Sequence, residues 1–341
     1  MKEACGHNKF VLKILILIIL LGIFFFISFF VGHYPILPKT VVDIILSNFI
    51  NIHQYWDDNL ATVVMDVRLP RIVIGILVGG ALSVSGASYQ TLFKNPMAAP
   101  DILGVSAGAG FGAALAMINN GNWFNIQLLA FTFGLIAVGS AYIIANVFSK
   151  QSITVLILAG IVVSGFFQAL LAIIKTLADT ESQLPSITFW LMGSLSKVSN
   201  NDIKYMLPAI IITLVILLIY RHQINALAAG EDEALTMGVN VSRIKIIIVC
   251  CATFMTVTAV STCGIIGWIG MVVPHIARMV TGPNYSKLSI TSFLIGGIFL
   301  LGIDNVVRGF DGVDLPLGAL TALIGTPVFV GLLSRVRKGW S

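Results

Sequence analysis

Charged residues are scarce in this chain. Asp, Glu, Lys and Arg make up 10% of the 341 residues, against about 25% in ordinary soluble domains. Fifteen acidic and 20 basic side chains cannot cover the surface of a 36.6 kDa globule, which excludes a water-soluble single chain. Hydrophobic residues make up 57% and the mean hydropathy is +0.97, values typical of a chain whose solvent is lipid. The composition predicts an all-α polytopic membrane protein.

Residues and motifs that carry chemistry are also few. The four cysteines and five histidines have no spacing typical of a disulfide framework or a metal site, so neither a metal nor a cofactor is expected. No set of nucleophile, base and orienting group is present, and no catalytic residue is predicted. The phosphate-binding pattern G-x-x-x-x-G-K-[ST] is absent, so any ATP must be hydrolysed by another chain. A net charge of +5 on mostly isolated residues gives no basic stripe, which argues against a nucleic-acid partner.

Long stretches without Asp, Glu, Lys or Arg are plentiful. A helix needs about 20 apolar residues to cross about 30 Å of hydrocarbon. The stretch 246–274 is too long for one simple span and is interrupted by three glycines and Pro274, so it is one broken helix or two. The other candidate spans are 14–32, 72–93, 102–118, 126–149, 151–174, 205–220, 288–303 and 315–334.

Basic residues at both ends of the chain decide the number of spans. Lysines 2, 9 and 13 precede the first span, and basic residues 335, 337 and 338 follow the last. Because basic flanks prefer the cytoplasm, both termini are predicted to be cytoplasmic, and the number of spans to be even, hence ten. A single transmembrane domain, 1–341, is predicted. It consists of an N-terminal helix and outer loop (1–60), a first helix group (61–220), a cytoplasmic coupling loop (221–245) and a second helix group (246–341).

The polar segment 221–245 is predicted to be helical and amphipathic. Leu227, Leu235 and Met237 could form an apolar edge opposite the acidic run 231–233. Two interpretations stay open at this point, an ordinary solvated loop or a docking element for a cytoplasmic partner.

Two regions combine small residues with helix breaks. Within 66–112, glycines recur four residues apart, which lets helix backbones approach closely, and two prolines break the helix. Pro100 follows Arg71 by 29 residues, and in the second region Pro274 follows Arg243 by 31. The two units are predicted to enter the membrane from opposite sides, an inverted repeat typical of transporters. The residues assigned to breaks and close packing are Gly86, Gln90, Asn95, Pro96, Pro100, Gly104, Pro274, His275, Arg278, Pro316 and Gly318.

Three arginines, Arg68, Arg71 and Arg308, lie beside spans on the predicted outer side, where the positive-inside bias disfavours them. Guanidinium groups make bidentate bonds to carboxylates, so an acidic soluble partner or lipid headgroups could use them. Asp101 and Asp304 lie near span ends, where capping or interfacial hydrogen bonding is expected in place of a proton pathway.

Five sequence blocks carry a family resemblance. They are RLPR (68–71), SGASYQTLFKNPMAAPDILGVSAGAG (85–110), LAAGEDEALTMGV (227–239), GIIGWIGMVVPHIAR (264–278) and DLPLGALTALIGTPVFVGLL (314–333). In content and order they resemble the membrane permeases of the binding-protein-dependent ABC importers for ferric siderophores, haem and cobalamin, over about residues 60–336. Two positions depart from the family pattern, with Asp314 where many members have Glu and Ile265 where many have Pro.

The resemblance implies a BtuC-like type II ABC importer fold of ten helices, in a subunit that pairs with itself or with a close paralogue. It implies two cytoplasmic ATPase subunits and an extracytoplasmic binding protein as partners. The expected ATPase-coupling residues are Gly230, Glu231, Ala234, Leu235 and Gly238. The three outer arginines match positions that bind glutamates of the binding protein, and the expected cytoplasmic gate is Ser152, Ile153 and Thr154.

The function expected from the sequence is inward movement of an intact metal chelate across the cytoplasmic membrane of a prokaryote. A ferric siderophore is the expected cargo, and cobalamin or haem is the alternative within the class. A secondary transporter driven by an ion gradient is the alternative from a different class.

Overall fold

The computed structural model describes residues 2–32, 34–48, 50–148, 152–310 and 315–336, with side chains described from residue 9 to 331. These residues form helices and the loops that join them. Asp314, Arg337 and Lys338, used above, lie outside the described residues. In chain order the helices are α1 (Lys2–Ser28), α2 (Pro38–Ser47), α3 (Asp58–Thr62), α4 (Leu69–Leu92), α5 (Val105–Ile118), α6 (Trp123–Phe148), α7 (Ile153–Leu177), α8 (Gln183–Leu191), α9 (Asn200–Ile219), α10 (Arg221–Ala229), α11 (Glu231–Thr236), α12 (Val241–Cys263), α13 (Ile269–Thr281), α14 (Tyr285–Gly309) and α15 (Leu317–Val336), with a π-helical turn at Val63–Arg68.

Seven of the described helices are long and apolar enough to cross a membrane, which confirms the all-helical membrane architecture. Three more apolar helices are shorter over the described side chains: Val105–Ile118, Ile269–Thr281 and Leu317–Gly331. The predicted number of ten is reached only when these three are counted. The stretch 246–274, expected to be one broken helix or two, forms two separate helices, α12 and α13.

Helix α4 is buried along nearly its whole length and forms the centre of the bundle. It runs antiparallel to α14, and a Cβ atom on Gly79 would lie only 2.2 Å from the carbonyl oxygen of Gly296. The recurrent small residues therefore bring the two backbones into direct contact, where side chains would hold them apart. Arg71 lies at one end of this helix pair, hereafter the arginine end, and Tyr285 lies at the opposite end, hereafter the loop end.

A polar seam joins α4 to α12. The hydroxyl groups of Ser85 and Thr256 lie 2.7 Å apart, and so do those of Tyr89 and Thr253. Residue numbers rise along α4 as they fall along α12, so these two helices are antiparallel. Every hydroxyl in the seam has a partner, which is required because an unpaired polar group in a membrane interior costs several kcal/mol.

Two irregular segments enter the bundle from opposite ends. Residues 93–104 enter from the loop end, and α5 begins directly after Gly104, whose φ of +89° favours glycine. Residues 264–268, which follow α12, enter from the arginine end, and α13 begins at Ile269. The segments meet where Pro100 packs against Gly270. Helices α5 and α13 have 14 and 13 residues, which is about 20 Å each at 1.5 Å per residue. Each helix is therefore too short to cross about 30 Å of hydrocarbon alone, and it completes a crossing that the irregular segment before it begins.

The segment between α9 and α12 forms two short helices, α10 and α11, at the loop end. The Asn225 side chain accepts a hydrogen bond of 2.8 Å from the backbone N–H of Tyr285, which ties α10 to the start of α14. The helical prediction is correct, but the predicted apolar edge is divided. Leu227 is buried against the bundle, whereas Leu235 and Met237 are exposed, because the break at Gly230 turns α11 away from α10.

Candidate coupling and docking sites

The arginine end contains a buried ionic cluster centred on Asp304 of α14. One carboxylate oxygen, Oδ1, lies 2.8 Å from Nη2 and 2.9 Å from Nε of Arg71. The other oxygen, Oδ2, lies 2.9 Å from Nε of Arg308, one helical turn along α14. Asp304 has no solvent exposure, so its charge is compensated by these two guanidinium groups and not by water.

The same cluster binds the end of α1. Arg308 donates to the carbonyl oxygens of Ser28 and Val31 at 2.8 and 3.1 Å, and Arg68, which is buried, donates to those of Phe29 and Tyr34. The last carbonyls of a helix have no partner within the helix, so cations suit this position. All three predicted docking arginines are thus brought together, but they bind groups of this chain.

Sequence reasoning missed Asp304 as the shared partner of these arginines. It assigned the residue to capping or to interfacial hydrogen bonding. The signal available in the sequence was the spacing of four residues between Asp304 and Arg308, which places both on one helix face.

The predicted coupling residues surround α11. Gly230 separates α10 from α11, Ala234 is fully buried, and Gly238, with a φ of +76°, ends the segment. Leu235 is 59% exposed on the other face of α11. The segment therefore packs on the bundle with the small side chain of Ala234 and presents an apolar residue, Leu235, outward.

An ion pair attaches α11 to α12. Nζ of Lys245 lies 2.8 Å from Oε2 of Glu231, with the lysine side chain 11% and the glutamate side chain 41% exposed. Of the predicted coupling residues, Glu231 is thus the one that contacts a transmembrane helix through an ion pair. Sequence reasoning did not assign Lys245 to any site.

The predicted gate lies at the start of α7. Ser152 caps this helix by accepting a hydrogen bond of 3.4 Å from the backbone N–H of Val155. Ser152 and Ile153 line a cavity of about 390 Å³, whereas Thr154 is exposed and lies outside its lining. The other lining residues are Leu92, Tyr142, Ala145, Asn146, Leu156, Ser242, Lys245 and Val249. Lys245 therefore belongs both to the ion pair with α11 and to the wall of this cavity, which is named the gate cavity after the two predicted gate residues that line it.

Six of the eleven predicted break and packing residues form two groups. In the first, a Cβ atom on Gly86 would lie 1.7 Å from the carbonyl oxygen of Gly270, and the Gln90 side-chain amide donates to the carbonyl oxygen of Met271 at 3.1 Å. Next to this group, Asn95 accepts from the N–H of Met97 at 2.9 Å in the turn that contains Pro96. These contacts fix the point where the two irregular segments meet.

The second group lies at the start of α15. The backbone N–H groups of Leu317 and Gly318, which follow Pro316, donate to the carbonyl oxygens of Gly193 and Met192 at 3.0 and 2.9 Å. Of the other five predicted residues, Pro100 and Gly104 lie in the irregular segment before α5, and Pro274, His275 and Arg278 lie within α13. The structure does not bring these three α13 residues into the hydrogen-bonded contacts of either group.

The antiparallel helices, the two broken crossings and the short helices α10 and α11 at the loop end form the architecture expected of the transmembrane subunit of a transporter. The model of the FecCD transport family matches residues 18–335, and the chain belongs to this family. It is therefore a multi-pass permease subunit of an ABC importer, a class in which a separate subunit hydrolyses ATP. This assignment replaces the alternative of a transporter driven by an ion gradient.

Two named relatives and one solved structure show the extent of the similarity. The chain is 33% identical to the molybdate import system permease MolB of Haemophilus influenzae, with 81% of this chain and 82% of that protein covered. It is 36% identical to an iron chelatin transport system permease of Helicobacter pylori, with 84% and 86% covered. A metal-chelate type ABC transporter solved in an inward-facing conformation has a TM-score of 0.84 and 32% identity, with 95% of this chain and 99% of that chain covered. These names do not agree on a cargo.

Proposed function

We propose that this chain is the permease of a binding-protein-dependent ABC importer that moves an iron–siderophore chelate across the cytoplasmic membrane of a prokaryote, with both termini cytoplasmic. The observation that carries the proposal is the position of α11, which lies at the same end of the bundle as the gate cavity and is joined to its wall by the Lys245–Glu231 ion pair. A motor that moves α11 would act directly on the gate.

The outer face of α11 supports an ATPase contact. Leu235 and Met237 are 59% and 70% exposed, and they stand beside the acidic residues 231–233. A charged helix does not insert into hydrocarbon, so lipid is a poor partner for these two apolar side chains. A protein groove that buries them would gain about 1.5–3 kcal/mol for each. We assign this surface, residues 230–238, to one of two cytoplasmic ATPase subunits.

The arginine end supports a contact with the binding protein. Arg68, Arg71 and Arg308 together with Asp304 carry an excess of two positive charges. Such an excess attracts an acidic protein surface and speeds its association. Because the guanidinium groups already bind this chain, an incoming carboxylate would use the donors that remain at the edge of the cluster, chiefly those of Arg71.

An exposed apolar face of α7 supports pairing with a second copy or a paralogous permease. Leu158, Ile161, Val162 and Phe166 are exposed along one side of this helix, which begins at the gate. Pairing through α7 would place two gates beside a shared central path.

The choice of an iron–siderophore rests on the Helicobacter pylori relative named for iron chelatin transport. The relative named for molybdate import favours a second candidate, a tetrahedral oxyanion. Cobalamin and haem are the further alternatives within the class.

The cargo is tested with the partner binding protein and with the assembled transporter. The purified binding protein is titrated with a ferric siderophore, molybdate, cobalamin and haem, and binding is followed by its tryptophan fluorescence. The proposal predicts that the ferric siderophore binds and is then taken up by proteoliposomes supplied with ATP. Binding and uptake of one of the other three compounds instead would overturn the proposed cargo and leave the assignment as a permease intact.

A further inference from the structure

Asp101 is an acidic side chain inside the bundle that belongs neither to the proposed docking surfaces nor to the gate. It lies between Pro100, which packs against Gly270, and Ile102, which packs against Gly160 of α7. Gly160 is about two helical turns from the start of α7 at the loop end. Asp101 therefore lies about 10 Å inside the loop end of the bundle, at 1.5 Å per residue.

This carboxylate has no basic partner. Within the described part of the chain, no Lys, Arg or His forms an ion pair with Asp101, and the side chain is exposed. The hydroxyl of Ser106, in the first turn of α5, hydrogen-bonds to it. That contact agrees with the capping expected for Asp101 and holds its charge at the positive end of the helix dipole. Capping accounts for one side of the carboxylate and leaves the other side open.

Lipid is a poor partner for the open side. A charged side chain inside a membrane bundle faces the bundle interior or a water-filled cavity, because transfer of the charge to hydrocarbon is costly. The neighbouring part of α7 is also open. A Cβ atom on Gly165 would meet nothing within 4 Å, and the side chain of Gln168 is exposed. Two polar side chains, those of Asp101 and Gln168, thus require water on this side of the molecule.

Helix α7 has two exposed edges of different chemistry. At 3.6 residues per turn, Gln168 lies about 80° round the helix from Gly160 and about 12 Å further from the loop end. The opposite flank of the contact, at Val163 and Phe167, is buried, so the open side of Asp101 is the side of Gln168. The apolar side chains assigned above to pairing lie further round, about 100–240° from Gly160. Pairing through the apolar edge would leave the polar edge beside the central path.

We propose that Asp101 lines the central path and determines specificity by disfavouring anionic cargo. The inference rests on the proposed function, because it requires that cargo passes along α7 between paired copies. Rings of carboxylates select cations in channels, and two copies place two such carboxylates at one path. The cargo class that suits this path is a neutral or cationic chelate, and a tetrahedral oxyanion is disfavoured.

The experiment measures the sign of the electrostatic potential in the path without any cargo. The native cysteines are replaced by alanine, Gln168→Cys is introduced, and the permease with its ATPase is placed in nanodiscs at low salt. The cysteine is labelled with an anionic or a cationic methanethiosulfonate reagent, and each rate is divided by the rate for free 2-mercaptoethanol. The variants are Asp101→Asn and Asp101→Glu. The matched control is Asp66→Asn, since Asp66 is an exposed acid at the arginine end.

The inference predicts that both reagents react and that the cationic reagent is favoured. At about 12 Å and an effective dielectric constant of about 40, one charge changes each rate by about 3-fold. Asp101→Asn should therefore raise the anionic-to-cationic ratio by about 10-fold, whereas Asp101→Glu and Asp66→Asn should keep the parent ratio. If Asp101→Asn does not fold, the parent decides by itself, because its ratio should approach that of the free thiol at about 1 M salt.

Four results would overturn the inference. They are no reaction of Gln168→Cys with either reagent, an unchanged ratio in Asp101→Asn, an equal change in Asp66→Asn, and a parent ratio that does not respond to salt. The first would place this edge of α7 against lipid or protein. The proposed function fails by a different result, the absence of ATP-dependent uptake of a ferric siderophore by the unsubstituted complex.

Discussion

Removal of the charge on Asp304 is predicted to destabilise the protein more than any loss of an exposed carboxylate. In Asp304→Asn the guanidinium groups of Arg71 and Arg308 lose their shared counter-ion while their side chains remain only 15% and 8% exposed. Removing one partner of a buried ionic group costs about 3–5 kcal/mol. Because the cluster is buried, added salt should not rescue it.

This cost can be converted to a melting temperature. At about 2 °C per kcal/mol, appropriate to a chain of this size, the loss corresponds to a decrease of about 6–10 °C. The assay is thermal unfolding of the detergent-solubilised chain, followed by intrinsic tryptophan fluorescence. Asp66→Asn is the matched control, since Asp66 is exposed and accepts one hydrogen bond of 2.9 Å from Asn200. Because the amide oxygen that this substitution introduces can still accept the hydrogen bond, the control should cost about 1 kcal/mol or less.

A second substitution tests the cause of the destabilisation. Adding Arg71→Met to Asp304→Asn removes one of the two uncompensated cations, so the double variant should be more stable than the sum of the single effects predicts. Equal melting temperatures for Asp304→Asn and Asp66→Asn, or strictly additive effects in the double variant, would refute the reasoning.

Two other predictions concern packing and docking. Gly86→Ala would place a Cβ atom 1.7 Å from the carbonyl oxygen of Gly270, and this overpacking should cost about 1–3 kcal/mol. Gly139→Ala is the control and should be neutral, because Gly139 has open space around it. Similar thermal stability of the two variants would contradict the assigned contact. Leu235→Ser should weaken ATPase association by about 10–100-fold, the loss expected for one buried leucine. Leu37→Ser, at a side chain that is also exposed (73% against 59% for Leu235) but far along the chain, should leave it unchanged. Pull-down titrations measure both, and equal effects would exclude a specific contact at α11.

Local sequence signals predicted the parts of the fold that depend on neighbours along the chain. Gly264 and Gly267 predicted the break that separates α12 from α13, whereas Pro274, also assigned to a break, lies inside α13. The polar composition of 221–245 predicted its short helices. These features follow from backbone propensity and from the cost of placing charge in lipid, and both can be read within a window of about 20 residues.

Contacts between distant residues could not be predicted in this way. The Arg71–Asp304 bond joins positions 233 residues apart, and no periodicity in the sequence relates them. Nor could the sequence show that α5 and α13 begin in the middle of the bundle, since this depends on Pro100 meeting Gly270. The ion pair between Glu231 of α11 and Lys245 was missed for the same reason. Nothing in the sequence distinguishes Lys245 from the other basic residues beside spans.

ATP-dependent uptake tests the central claim most directly. Proteoliposomes are prepared with this permease and its ATPase, with the binding protein and a ferric siderophore outside and ATP inside. We predict uptake that requires ATP, stops when the phosphate-binding lysine of the ATPase is replaced, and continues when ion gradients are dissipated. Uptake that persists with the inactive ATPase and is abolished by an ionophore would contradict the account.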